Sequence, residues 1–178
     1  MYRSVLEFWF DELTPAQWWK KDEALDQLIT DRFGGLFEKA RKSELFGWRR
    51  VADGRLAEII MLDQFSRHIH RDTPDAFAQD DMALVLAQEA VSAAADIALT
   101  PKQRTFLYMP YMHSESALIH QVAEKLFRST GQTDALEYEL RHKAIIDCFG
   151  RYPHRNEILG RESTQEEIEF LKQPGSSF

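Results

Sequence analysis

The sequence predicts an all-α protein: antiparallel helical pairs in a compact helical array, forming one domain over residues 1–178. Three observations carry this. Helix starts are marked by paired caps and prolines at Thr14-Pro15, Thr73-Pro74 and Thr100-Pro101, and by a capping box at Thr164 and Glu167. Between these starts, apolar residues recur at spacings of three and four. No stretch alternates with period two over the length of a strand.

The elements follow in order. Phe8, Trp9, Phe10, Trp18 and Trp19 open the chain, and large aromatics at helical spacing are expected in the core. Thr14-Pro15-Ala16-Gln17 supplies an N-cap, a proline at the first helical position and glutamine at the third. Leu25, Leu28, Ile29, Phe33, Leu36 and Phe37 then mark a helix. Gly34-Gly35 interrupts it, at about 1 kcal/mol per glycine relative to alanine, and is expected to kink it. A helix from about Arg55 to His68 carries Leu56, Ile59, Ile60, Asp63 and Arg67 on one stripe. Leu84, Ala87, Ala90 and Val91 mark the next long helix, and Thr100-Pro101-Lys102-Gln103 starts another. Pro110 is expected to end that helix, with Ser114 capping the one after it. Ile119, Val122, Ala123, Leu126 and Phe127 form one apolar face, and Tyr138, Ile145, Ile146 and Phe149 form another. Asn156 is placed to cap a short helix holding Ile158 and Leu159. Counting caps and breakers gives about seven to nine helices with short loops. No repeat of fixed period is visible.

Composition narrows the function classes. The net charge of −7 argues against nucleic acid, whose phosphates need a basic footprint. No run approaches the roughly 20 apolar residues of a membrane span. The N-terminal MYRSVLEFWFDEL lacks a signal peptide's apolar core. The single Cys148 excludes an internal disulfide framework. These features point to the cytoplasm. His68 and His70 look like a metal pair, but residues two apart on a helix face different ways, and no CxxC or HxxxH supports them. They are expected as solvated helix-end histidines, and neither a metal nor a cofactor is expected.

The most informative stretch is FGRYPHRNEILGR, Phe149 to Arg161. Arg151, His154, Arg155, Asn156 and Arg161 crowd around Pro153 and two glycines, which rules out one continuous helix. Arginine and histidine are the donors proteins use to hold carboxylate or phosphate. A helix start at Asn156 would add free backbone N–H groups. Asp63 and Arg67, four residues apart, can pair directly. Either they form a structural ion pair, or Asp63 orients Arg67 toward a ligand. His113, Ser114 and Glu115 follow Pro110. A Ser114 nucleophile is disfavoured because no Gly-x-Ser-x-Gly elbow surrounds it. His113, His120, Gln121 and Glu124 form a polar stripe that faces either solvent or a cavity. His142 lies on an apolar face, as a satisfied core histidine or, with His154, as a proton donor near neutral pH.

FWF at 8–10, LDQFSR from Leu62, YMPYMHSES and FGRYPHRNEILGRESTQEE together resemble an uncharacterised bacterial family catalogued as domain of unknown function 924. The resemblance runs over nearly the whole chain. It implies an all-helical fold of the tetratricopeptide-type αα-superhelix kind and brings no substrate. Its matching positions are Asp63, Gln64, Arg67, Arg71, His113, Glu115, Gln121, His142, Arg151, Pro153, His154, Arg155, Asn156 and Arg161.

Two functions are consistent with these residues. In the first, Arg67, Arg151, Arg155 and Arg161 hold a small anionic metabolite, assisted by Gln64, Arg71, Gln121 and Asn156. His113, His142 or His154 would then move protons, and Asp63 and Glu115 would orient the bases. Asp63, Arg67, His113, Glu115, His142, Arg151, His154 and Arg155 are expected to meet in one partly buried pocket, since charged groups at the ends of apolar faces are costly to bury separately. In the second, the protein is a helical scaffold whose groove binds a partner protein or peptide, and the polar motifs are structural.

Overall fold

A computed structural model describes residues 1–177, and among them the regular structure is entirely helical. Helix α1 (Tyr2–Glu7) runs into a π turn at Phe8–Glu12. Then come α2 (Glu23–Arg41), α3 (Ala52–Ile60), α4 (Ser66–Ile69), α5 (Asp80–Ser92) and α6 (Pro101–Met112). Helices α7 (Ala117–Thr130), α8 (Thr133–Phe149) and α9 (Gln165–Leu171) complete the chain.

Local chemistry sets these boundaries. Thr100 and Thr164 form complete capping boxes with Gln103 and Glu167 at the starts of α6 and α9. Asp22 caps α2 by accepting from the backbone N–H groups of Ala24 and Leu25. At the other end, Gly131 and Gly150 adopt left-handed backbone (φ 71° and 68°) and stop α7 and α8, a conformation that costs an L side chain energy. The threonine-proline pairs at Thr14 and Thr73 start only short 3-10 turns, Pro15–Trp18 and Pro74–Ala76.

Helix α3 is the axis of the domain. It packs against α1, α5 and α6. It continues without a break in helical backbone through a π turn at Met61–Phe65 into α4. Every residue from Leu56 to Ser66 is buried, so the expected one-sided stripe is too narrow. Glu58 lies inside with Asp63, held by Arg49 through paired contacts of 2.7 Å from Nε and Nη2. Gly54 makes close packing possible, because a Cβ there would sit 2.1 Å from the Trp48 carbonyl oxygen. Phe8 and Trp9 belong to this core, Phe10 and Trp18 pack at its edge, and Trp19 is exposed. A smaller second core, Ile145, Ile146 and Tyr152, sits under Phe149 and Phe170.

Several local expectations are corrected. Helix α2 runs through both Gly34 and Gly35, because intrahelical bonds and buried Leu25, Ile29, Phe33 and Phe37 outweigh the glycine penalty. Helix α6 runs past Pro110 to Met112; a proline in the last turn disturbs few intrahelical bonds. Ser116, not Ser114, stands at the N-cap of α7. Asn156 caps no helix start: it follows the 3-10 turn Pro153–Arg155, and the chain from there to Gly160 makes turns. The free N–H groups expected of a helix start at Asn156 are therefore not there. His68 is buried rather than solvated. No helix among the described residues is long and apolar enough to cross a membrane.

Candidate functional site

The site begins at the π turn. Such a turn widens the helix by one residue and disturbs the regular ladder of carbonyl acceptors. Here the carbonyl of Asp63 accepts from Arg67 Nη1 at 2.6 Å. The turn directs Asp63, wholly buried, at His113, the residue that ends α6. Asp63 Oδ1 lies 2.6 Å from His113 Nδ1, and Asp63 Oδ2 accepts from Gln64 Nε2 at 2.6 Å. Gln64 Nε2 also lies 3.3 Å from the sulfur of Met109. Arg67 adds its charge at 3.4 Å from Asp63 Oδ1. Burial alone would raise the Asp63 carboxyl, but His113 and Arg67 overcome it and hold the group at about 2. Burial pushes His113 below 6.5 against the attraction of Asp63. At neutral pH this is an ionised carboxylate beside a neutral imidazole. Its Nδ1–H is turned to Asp63, and Nε2 is left as the basic nitrogen.

Asp80, at the first turn of α5, joins the second layer. Arg67 grips it with two contacts, 2.9 and 3.0 Å. Arg155 Nη1 reaches the same carboxylate at 3.3 Å, and Arg155 Nη2 donates to the His113 carbonyl at 3.1 Å. The Arg155 guanidinium is packed between the rings of Phe77 and Tyr152, its centre 4.6 Å from each centroid. Burial and the nearby charge of Arg67 both lower its pKa. A cavity of about 270 Å³ opens beside these groups, lined by Asp80, Asp81, His113, Glu115 and Arg155 among apolar residues that include Phe77.

Glu115 closes one side. It takes two contacts from Arg161, 2.6 and 2.9 Å, and accepts the backbone N–H of Tyr152 at 2.7 Å. Burial opposes its charge, yet Arg161 and that N–H hold its pKa below 4.5. Behind lies Tyr152, whose ring contacts His120, His142 and His154 at centroid distances of 6.4, 5.7 and 5.6 Å. Burial lowers His142 to about 3 and His154 to about 4, so both rings are neutral at pH 7. His142 Nδ1 donates to the Tyr138 carbonyl at 2.8 Å. His120 Nε2 faces the Ser114 carbonyl at 2.9 Å and so must carry a proton. Its Nδ1 shares a second proton with buried Glu139 at 2.8 Å. His120 is therefore not part of a solvent-facing stripe.

The structure thus brings Asp63, Gln64, Arg67, His113, Glu115, Arg155 and Arg161 together, with His142 and His154 one layer behind. Four other candidates stand apart. Arg71 pairs with Asp26 at 2.5 and 2.7 Å, an arrangement shared with His68. Gln121 is exposed on α7. Arg151 binds Glu167 at 2.6 and 2.8 Å, and Asn156 Nδ2 donates to the same carboxylate at 3.2 Å, so both fasten α9 to the loop. Of the eight expected to meet, Arg151 lies outside, His142 and His154 lie one layer behind, and only His113, Glu115 and Arg155 line the cavity itself. Asp80, Phe77 and Tyr152 were not anticipated. An acidic residue in a helix's first turn ordinarily serves the dipole, so nothing set Asp80 apart. The YP step before His154 was the only signal for Tyr152. Among the described residues no group of three or more histidine, cysteine or carboxylate side chains could hold a metal ion.

The model of a bacterial protein family of unknown function, DUF924, matches residues 5–175. The solved structure of a protein of unknown function, ATU0120, from Agrobacterium tumefaciens is similar to this chain. The TM-score is 0.92 at 36% identity, and the match covers 96% of each chain. No curated protein matches.

Proposed function

The chain belongs to the bacterial DUF924 family, one of unknown function, and from the site itself we propose that it binds a small metabolite bearing a carboxylate or phosphate. His113 exchanges a proton with that ligand. The observation that carries this is convergence: the start of α5, the end of α6 and the 153–161 loop each bring charged or titratable side chains to one cavity of about 270 Å³, and Asp63 and Arg67, from the π turn and α4, back its His113 and Asp80 from behind. Arg155 supports the anionic choice. Arg155 lines the cavity, its Nη1 reaches Asp80 only at 3.3 Å, and that one carboxylate is shared between two guanidinium groups. A ligand oxygen would complete that set with a charge-assisted bond. Asp63 supports the proton role, since a carboxylate on Nδ1 fixes the ring and keeps Nε2 available to accept. Glu115 is occupied by Arg161 and the Tyr152 N–H, and its role is to hold the loop in place.

The test is thermal unfolding of the whole protein with phosphate, sulfate and a panel of carboxylate metabolites. A ligand at 100 times its Kd adds about 2.7 kcal/mol. That gain should vanish in Arg155→Ala while far-UV circular dichroism stays unchanged. Absence of any gain across the panel would refute the reading. The scaffold alternative also has an observation behind it: a larger, mainly apolar groove of about 800 Å³ between α8, α9 and residues 173–175, lined by Ile145, Phe149 and Phe170. That reading places function on α8 and α9, and it predicts no response of the His113 cavity to any small ligand.

A further inference from the structure

We infer that the ligand of the His113 cavity is zwitterionic, a short molecule carrying an ammonium group as well as its anionic group; this rests on the ligand-binding reading above. The charge count at the cavity leads to it. Asp63, Asp80, Asp81 and Glu115 stand against Arg67, Arg155 and Arg161, so carboxylates exceed guanidinium groups by one. His113 is neutral at pH 7 and does not restore the balance. Only Arg155 of the three arginines lines the space itself, whereas Asp80, Asp81 and Glu115 all do. Asp80 and Glu115 are neutralised from behind by Arg67 and Arg161. Asp81 is exposed at the cavity and makes no hydrogen bond or ion pair among the described residues.

Each single-charge ligand leaves something unsatisfied. A simple anion would satisfy Arg155 but would enter a space whose remaining charge is negative. A simple cation would suit Asp81 but would enter beside the like-charged Arg155 guanidinium, which lines the same space. A molecule with both groups answers both demands. Its anionic end meets Arg155 beside His113, and its ammonium group points toward Asp81 at the exposed edge. The apolar wall, including Phe77, Leu84 and Leu159, suits a short aliphatic spacer. The volume of about 270 Å³ equals the liquid share of roughly nine water molecules, enough for a small amino acid.

The test uses the full chain and probes of matched size: propionate, propylammonium and β-alanine, with glycine and γ-aminobutyrate varying the spacing. The readout is the His113 ring resonance in NMR, with thermal shift alongside. At least one amino acid should move His113 at a concentration about tenfold below that needed for propionate or propylammonium, a difference of about 1.4 kcal/mol. Asp81→Asn, at an exposed position that leaves folding intact, should weaken that amino acid about fivefold, the upper range for an exposed charge pair. The same variant should not weaken propionate. Propionate binding as well as the amino acids would overturn the zwitterion and leave the anion pocket standing. Propylammonium binding best, or no probe moving His113 at all, would remove both.

Discussion

Asp63→Asn tests the centre of the site. The amide keeps the shape and removes the charge. Its oxygen can still accept from His113 Nδ1, but its NH2 group then faces Gln64 Nε2, another donor, and Arg67 loses the carboxylate 3.4 Å away. The magnitude follows from the wild-type carboxyl, held at about 2 against an ordinary 3.8. A shift of that size is worth about 2 kcal/mol of stability at neutral pH. For a chain of this length each kcal/mol moves Tm by about 2–4 °C, so the variant should melt about 4–8 °C lower at pH 7. The sign fixes the pH dependence. A carboxyl with a depressed folded pKa stabilises fully above its unfolded value of 3.8 and loses that contribution as pH falls toward about 2. The part of the gap that comes from the Asp63 charge should therefore close as pH falls below 3.8. Calorimetry across that range measures it. A variant within about 0.5 kcal/mol of wild type at pH 7, the scatter of ordinary surface changes, would show that Asp63 is not an ionised, paired hub.

Three further outcomes are expected. Gly54→Ala should destabilise by about 1–3 kcal/mol in urea titration, because its methyl would meet the Trp48 carbonyl oxygen at 2.1 Å and that backbone cannot yield cheaply. Gly34→Ala in α2, with nothing within 4 Å of the new methyl, should stabilise by up to about 1 kcal/mol; equal effects at the two sites would refute the packing account. His142 and His154, held at about 3 and about 4, should show neutral ring shifts at pH 5.5 in NMR. Since both are lowered from 6.5, their contribution is complete above 6.5 and is lost as pH falls through the folded values, so stability should decline from pH 6.5 toward 4.

The fold class was legible because its signals are local. Caps at Thr100 and Thr164 and the spacing of Leu25, Ile29 and Phe33 are decided within a turn or two of chain. Where the local signals mislead, the cause is local too: Pro110 looks like a stop, though it sits where the helix is about to end anyway. Half of the site was legible as well. Asp63 with Arg67, the triplet at His113 and the FGRYPHRNEILGR loop were unusual enough in composition to be noticed. Their connections were not, because pairing between distant segments leaves no periodic trace. Arg151 and Arg155 look alike in sequence, yet one binds Glu167 on α9 and the other reaches Asp80, 75 residues away. The apolar stripe places Asp63 on the buried face, but it does not distinguish Glu58, also wholly buried, from a solvated acid on a helix.

The π turn at Met61–Phe65 is itself part of the site's design. It behaves as one residue spliced into a rod. Deleting a single residue there would let Ala52–Ile60 and Ser66–Ile69 join in plain α geometry, at little cost to helix formation. The wider turn takes up that extra residue within about the rotation and rise of four α residues, so what lies beyond the cut would keep its register. Arg67 would stay beside Asp80, while the side chains inside 61–65 would be redistributed around the axis and the Asp63 contact to His113 would be the one at risk. A single-residue deletion within 61–65 should thus spare both the helix content and the Arg67–Asp80 pair, whereas a deletion within Ala52–Ile60, where no bulge absorbs it, would turn one half of the helix against the other by about 100°. In this protein the bulge separates the placing of Asp63 from the register of the helix that carries it.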